Sequence, residues 1–298
     1  MSVSTHLAAP QPSPAPAEAR APRPFVKWAG GKGRLLPQLV PLLPPGAHLM
    51  RHVEPFVGGG AFFFARQPPR ALLADVNEAL VRTYEAIRDD VDRVIAALGV
   101  LAEAHRAGGD DEAKAHFYRQ RDRYNEKGPR APAEHAALFI YLNKTCFNGL
   151  HRVNRRGAFN VPFGRYANPT ICDARTLRAA SRALRRATLR TQPFEALVAA
   201  ARPGDFVYFD PPYEPVSETA RFTSYARQGF DRDDQKTLRD VFAELDRRGC
   251  KLMLSNSDVP FIRDLYGRWR IDTVAAARAI NCDARGRGKV SEVVVRNY

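Results

Sequence analysis

With 298 residues the chain can bury a full core, and its length suits one large α/β domain plus a smaller insert. Lys and Arg outnumber Asp and Glu by 46 to 32, a formal net charge of +14 that favours a polyanionic partner. The four cysteines (Cys146, Cys172, Cys250, Cys282) form no C-x-x-C pair, and no apolar run reaches membrane-span length, which disfavours a disulfide frame, a metal site and a transmembrane protein.

The N-terminus lacks a signal-peptide core, so the cysteines read as reduced thiols in the cytosol. Residues 1–24 are rich in Ala and Pro and read as a disordered, partly polyproline-II-like tail without a catalytic role. Residues 25–40 form a loop entering a helix, with Gly30, Gly31 and Gly33 making a tight turn. A short strand at 52–56 leads into Val57-Gly58-Gly59-Gly60 and an apolar helical start at 62–64. A second strand, 71–75, ends in Asp75. From Asn77 to about Ala107 the residues Leu80, Tyr84, Ile87, Val91, Val94, Ile95 and Leu98 keep helical spacing, and two more helices follow near 111–126 and 133–145.

Residues 146–170 break that period. Gly149, Gly157, Pro162 and Gly164 punctuate a segment carrying Arg152, Arg155, Arg156 and Arg165 between aromatics. Strand–helix alternation then resumes: helix 173–186, strand 188–191, helix 193–201 and strand 205–210. Helix 231–248, strand 250–255, helix 259–266 and strands 269–274 and 291–297 complete it. Alternation on both sides of an irregular basic block predicts a Rossmann-like, mostly parallel α/β sheet made of 25–76 and 171–298, with 77–170 inserted as a helical and hairpin domain.

Asp210-Pro211-Pro212-Tyr213 carries the most chemistry. It follows a buried-strand pattern, and an acid at the C-terminal edge of such a strand stands where open α/β sheets bind ligands. The prolines fix φ and lack N–H groups, so the backbone there offers only carbonyl acceptors. A carboxylate, a rigid carbonyl and the Tyr213 ring together suit a planar heterocycle with an exocyclic amine. Taken alone, Asp-Pro-Pro is more often a turn whose Asp caps something.

Gly58-x-Gly60 between strand and helix exposes backbone amides to a ligand. Phe63 replaces the third glycine of the dinucleotide fingerprint, which disfavours NAD and FAD. Asp75 is placed to accept ribose hydroxyls or to cap the helix that begins near Asn77. A P-loop at Gly30-Gly31-Lys32 is rejected, because Val26 and Gly33 occupy positions that need Gly and Ser or Thr.

From about Phe25 to Tyr298 the chain resembles the Dam-like adenine-N6 DNA methyltransferases, whose catalytic motif is Asp-Pro-Pro-Tyr. The segment Lys27-Trp28-Ala29-Gly30-Gly31-Lys32 is similar to their N-terminal cofactor motif, Phe56-x-Gly58-x-Gly60 to their next one, and Asp75 to their ribose-binding acid. The resemblance therefore implies an S-adenosylmethionine-dependent methyltransferase fold with Trp28, Lys32, Phe56, Gly58, Gly60, Asp75 and Asp210 around the cofactor. Trp28 would cover the cofactor and Lys32 would meet its carboxylate.

Segments 143–150 and 157–166 resemble the target-recognition hairpin of members acting at GATC. That implies Arg152 on a guanine, Asn148, Leu150 and Tyr166 at the target step, Phe147 as an intercalating ring and Lys27 on a further base. Phe147 stands where enterobacterial members commonly carry Tyr, which keeps the stacking face and removes a hydroxyl. The expected partner is double-stranded DNA in the cytoplasm, near the nucleoid, with no metal. The target adenine leaves the stack, lies on Tyr213, and gives its N6 hydrogens to Asp210 and the Pro211 carbonyl. Cytosine-N4 enzymes usually carry Ser and protein-amide enzymes Asn where Asp210 stands. A silent DNA-binding regulator would need no Trp28, Lys32, Asp75 and Asp210 together.

Overall fold

Among the described residues seven strands carry the architecture: β1 (His52–Glu54), β2 (Ala71–Asp75), β3 (Ala187–Thr191), β4 (Phe206–Phe209), β5 (Lys251–Ser257), β6 (Arg270–Ala277) and β7 (Lys289–Arg296). The computed structural model describes residues 20–216, 230–277 and 289–298. Most of the Ala/Pro-rich segment and Cys282 lie outside the described residues. Within that segment, Arg20 and Arg23 both reach Asp173 at the start of the Ala174–Leu184 helix.

The strands form one sheet in the order β3-β2-β1-β4-β5-β7-β6. β1, β2, β3, β4 and β5 run parallel, and β7 is antiparallel to both β5 and β6. This is the mixed, mostly parallel sheet of the expected fold class. β1 and β4 are buried at every residue, as strands covered on both faces must be. Chain direction across the sheet reverses between β1 and β4, so the loops leaving these neighbours diverge and open a crevice at their C-terminal ends.

Period-two alternation sorts the side chains into two faces. Val53, Leu72, Val207, Phe209, Leu252, Leu254, Val293 and Val295 pack against Leu238, Val241, Phe242 and Leu245 of the Arg232–Arg247 helix. The opposite face is apolar low down, with Phe206, Tyr208, Met253 and Val294 under Leu35 and Leu39. Its upper rim is polar: Glu54, Asp210, Ser255, Ser257 and Glu292 follow on the same face by alternation and register.

Toward β2 and β3 that same face joins Leu73 and Leu189 to the helices Glu78–Asp89, Pro132–Thr145 and Ala174–Leu184 in one buried cluster. The continuous helix expected from Asn77 to Ala107 is two helices, Glu78–Asp89 and Val91–Arg106, separated by Asp90 at φ −148°, ψ 58°. Leu80, Tyr84, Ile87, Val94 and Leu98 are all buried, so the apolar stripe runs across the break and hides it. Two adjacent aspartates at a helix C-terminus oppose the helix dipole, which favours stopping there. The 193–201 segment is likewise a short 3₁₀ turn, Phe194–Ala196, followed by Leu197–Ala200.

Candidate functional site

Asp210 stands one residue beyond β4, at the mouth of the crevice. The Lys32 ammonium lies 2.8 Å from its Oδ1, donates to the Gly30 carbonyl at 2.8 Å, and sits 4.5 Å from the centre of the Tyr213 ring. Burial pushes the Asp210 carboxyl up to about 6. The Lys32 charge and hydrogen bond hold it down, while the Glu292 and Glu54 charges add to the rise.

Beneath it, Arg66 Nη1 donates to His52 Nδ1 at 2.7 Å, and His52 Nε2 lies 2.5 Å from Glu54 Oε1. Arg66 can only donate, so Nδ1 is the acceptor and Nε2 carries the proton. Burial drives His52 well down and Glu54 up to about 8. Of the two carboxyls, Asp210 is therefore the one that ionises more readily.

The loop after Asp210 is clamped on both sides of Tyr213. Gln235 Nε2 donates to the Pro212 carbonyl at 3.0 Å. The Glu214 amide donates to Asn256 Oδ1 at 3.1 Å, and Ser257 Oγ donates to the Glu214 carbonyl at 2.5 Å. The Tyr213 hydroxyl donates to Glu292 Oε2 at 2.8 Å. A rigid Pro-Pro segment with anchored flanks presents one carboxylate and one aromatic face without a large ordering cost on binding.

Beside it lies the part of the crevice that sequence assigns to a cofactor. Gly58 has φ +46°, and a Cβ there would stand 2.6 Å from Trp28 Cδ1, so only glycine lets this turn pass under the indole. Trp28 in turn stacks near Phe139 and His151. Asp75 Oδ2 accepts the Gly58 amide at 3.0 Å and Oδ1 accepts the Asn77 amide at 2.9 Å. Burial raises the Asp75 carboxyl and these amides counter it. Asp75 is not the cap of the following helix. Asn77 is, accepting the Leu80 amide at 3.0 Å. Each Asp75 oxygen keeps a lone pair for a further donor. Phe56, half buried, stacks at 5.5 Å on Phe194.

These residues fit an adenosyl group: two aromatic side chains, a carboxylate at the end of β2 and a glycine turn that a Cβ would block. Lys32, expected from sequence to meet the cofactor carboxylate, pairs here with Asp210.

The third cluster is the 146–166 hairpin. Isolated bridges Cys146–Phe163 and Val153–Phe159 pair its arms. Phe147, Leu150 and Val153 are 52%, 37% and 48% exposed, an apolar strip among cations. Asn148 takes φ +54°. Arg152 Nε donates to Asn160 Oδ1 at 2.8 Å, which holds the guanidinium out along the hairpin. Arg155 and Arg156 are exposed. Lys27 Nζ lies 4.0 Å from the Tyr166 ring centre, so these two expected base-contacting residues sit side by side. Gly149, at φ +63°, leaves room for the Lys27 stem, which a Cβ would approach to 2.4 Å.

Sequence reasoning missed the residues that join these clusters. Buried Asn143 accepts the Lys27 amide and donates to the Lys27 and Gly149 carbonyls, tying the cofactor turn to the hairpin. Asn125 exchanges two hydrogen bonds with the Phe159 backbone. His151 stacks on Phe139 and Trp28, with Asn77 Nδ2 3.2 Å from its Nδ1. Gln235, Asn256 and Glu292 hold the loop after Asp210. Glu292 alone had a readable signal, a single acid in the run Ser291-Glu292-Val293-Val294-Val295. Among the described residues no group of three or more His, Cys, Asp or Glu could hold a metal ion, and no helix is long and apolar enough to cross a membrane.

Residues 28–280 match the family of D12 class N6 adenine-specific DNA methyltransferases. The chain is 41% identical over 287 residues to the Type II methyltransferase M.MjaIII of Methanocaldococcus jannaschii, covering 93% of this chain and 99% of that protein. It is 40% identical to the Type II methyltransferase M1.LlaDCHI of Lactococcus lactis subsp. cremoris, over 93% and 95% of the two chains. With the DNA adenine methylase of Escherichia coli strain K12 the identity is 35%, over 91% and 94%.

Proposed function

The chain belongs to the D12 class of N6 adenine-specific DNA methyltransferases, and on that premise we propose that it transfers the methyl group of S-adenosylmethionine to adenine N6 in duplex GATC sites. The observation that carries the reading is the geometry around Asp210: an ionisable carboxylate, a Pro-fixed backbone and a clamped aromatic ring at the sheet's switch point.

Trp28, Phe56, the Gly58–Gly60 turn and Asp75 would hold the donor, with Asp75 accepting its ribose hydroxyls. Bound there, S-adenosylmethionine supplies an electrophilic methyl. Tyr213 gives the extruded adenine a face to stack on. Asp210 accepts one N6 hydrogen. The Pro212 carbonyl is already taken by Gln235, and the Pro211 carbonyl takes the second hydrogen. With both hydrogens held, the N6 lone pair points away from them, toward the donor side of the crevice.

The hairpin performs the recognition. Phe147 and Leu150 are exposed apolar groups on a cationic surface, the combination that wedges into a base step. Arg152, Asn148, Tyr166 and Lys27 read or flank bases, and Arg155, Arg156 and Arg165 meet phosphates. The domain division expected from sequence, 77–170 as the target-recognition insert, belongs to the same proposal.

Methylation mapping of plasmid DNA from a methylation-free host expressing the protein tests the whole reading. Modified adenines confined to GATC support it, and adenines modified at another site leave the chemistry standing and remove the specificity. Calorimetry with S-adenosylmethionine tests the donor site. Binding weakens strongly in Asp75→Ala, and equal affinity in that variant removes the assignment.

A further inference from the structure

The Tyr213 ring is held by something that a stacking platform does not require. Its hydroxyl ends 2.8 Å from Glu292 Oε2. Glu292 lies inside the sheet, on β7, paired with Ser257 on one side and Val274 on the other, so its backbone is among the least movable near the crevice. On the ring's own side, the Lys32 ammonium lies 4.5 Å from the ring centre and 2.8 Å from Asp210. The result is a chain of contacts, Glu292 to Tyr213 to Lys32 to Asp210, linking β7, the catalytic loop, the cofactor turn and the end of β4.

The backbone flanking Tyr213 is already fixed through Pro212 and Glu214. What remains free is the side chain, with two torsions. A hydrogen bond from its tip to a rigid strand removes most of that freedom, since the ring is then tethered at both ends. Burial and the Asp210 and Glu292 charges push the hydroxyl well above its ordinary range, so it keeps its proton and stays a donor.

We propose that Glu292 is a positioning residue for methyl transfer: its carboxylate accepts the Tyr213 hydroxyl and sets the angle at which the ring meets the target adenine. This rests on the stacking role given to Tyr213 above. Stacking itself needs only a π-face, so a phenylalanine supplies it fully. Glu292 gives the hydroxyl a job of its own, and that job exists only while both partners are present.

The test is a double-mutant cycle read by single-turnover methyl transfer to a GATC duplex, with emission from a 2-aminopurine at the target position reporting how the extruded base is held. Tyr213→Phe and Glu292→Ala each lower the single-turnover rate about tenfold, a coupling of ordinary size for two groups in contact. KM for DNA changes by less than about twofold, because phosphate contacts elsewhere set affinity. The double variant is no slower than the slower single variant, and the three share one altered 2-aminopurine emission. Glu292→Gln keeps an acceptor oxygen and restores the emission of the wild type.

Rate losses that multiply in the double variant overturn the proposal, as does a Glu292→Ala protein with wild-type rate. If Glu292→Ala does not fold, the same cycle is run with Glu292→Leu. If that protein also fails, Tyr213→Phe decides: unchanged rate and emission in this variant overturn the proposal. Tyr213→Ala separates the two readings. Full activity in Tyr213→Ala removes the stacking role itself, whereas an inactive Tyr213→Ala beside multiplicative single effects removes only the role of Glu292.

Discussion

The crevice around Asp210 and the 146–166 hairpin keep their polar groups in order by different means. In the crevice the partners come from far along the chain: Lys32 for Asp210, Glu292 for Tyr213, Gln235 for Pro212. In the hairpin they are local. Arg152 pairs with Asn160, and Asn154 accepts from the amides of Arg156 and Ala158. The crevice buries its charges and shifts their titration, while the hairpin leaves Phe147, Leu150 and its arginines to solvent. A group that must hold a reacting atom within a fraction of an ångström needs a scaffold that cannot move. A group that must meet DNA needs reach, charge and an apolar edge, which a hairpin provides alone. Asn143 and His151 join the two regions, so the proposed base-recognition and donor sites share a wall.

The comparison breaks most sharply at Asp210. Asp210→Asn should lower the single-turnover rate by about a thousandfold or more, as loss of a group aimed at developing charge does. DNA affinity and its salt dependence should stay as in the wild type, since no phosphate contact is lost. A loss of DNA affinity parallel to the loss of rate would mean that the crevice, and not the hairpin, binds the duplex.

Arg152 makes the reciprocal case. Arg152→Ala should cost about 1–3 kcal/mol at the cognate site and relax discrimination at one base pair, while the rate at saturating DNA falls little. Arg155→Ala or Arg156→Ala should weaken all sequences alike and flatten the salt slope by about one unit. Competition binding against single-substituted duplexes checks both.

The pH profile sharpens the electrostatic side. In the proposed mechanism Asp210 accepts the N6 hydrogen as a carboxylate, so kcat/KM should fall as pH drops through about 6, the value to which burial lifts it. Lys32 holds that value down, so Lys32→Ala should move the acid limb to higher pH. Glu292 holds it up, so Glu292→Gln should move the limb to lower pH. Opposite displacements in the two variants identify the limb as that of Asp210.

The smallest effect belongs to the hairpin tip. Phe147 is about half exposed, so Phe147→Ala should change folding stability by less than about 0.5 kcal/mol, measured by urea unfolding. Its effect should appear only with DNA, as reduced 2-aminopurine emission from the target base. A large stability loss would place the ring in the fold and not in the duplex.

Sequence by itself determined the alternation of strands and helices, because side-chain period is a local consequence of backbone geometry. It also singles out the candidate site residues that stand in short motifs: Asp210 to Tyr213, Gly58 and Gly60, Asp75, and the cations of the hairpin. Those signals are readable because a strand end, a glycine turn and a proline pair each constrain their neighbours directly.

Tertiary structure decided the rest. The break at Asp90 is invisible to periodicity, since the buried stripe runs through it. Asn77 and not Asp75 caps the helix, because the Gly58 and Asn77 amides claim the Asp75 carboxylate and leave the Leu80 amide to the Asn77 side chain. That the Lys32 ammonium also meets Asp210 follows only from tertiary packing, which brings the 32–34 turn to the end of β4. Gln235, Asn256 and Glu292 stand in no motif, and the 143–150 motif does not reveal the partners of Asn143. Their roles exist only where strand register and helix packing bring them to a backbone or ring more than twenty residues away in most cases, a pairing that sequence spacing does not encode.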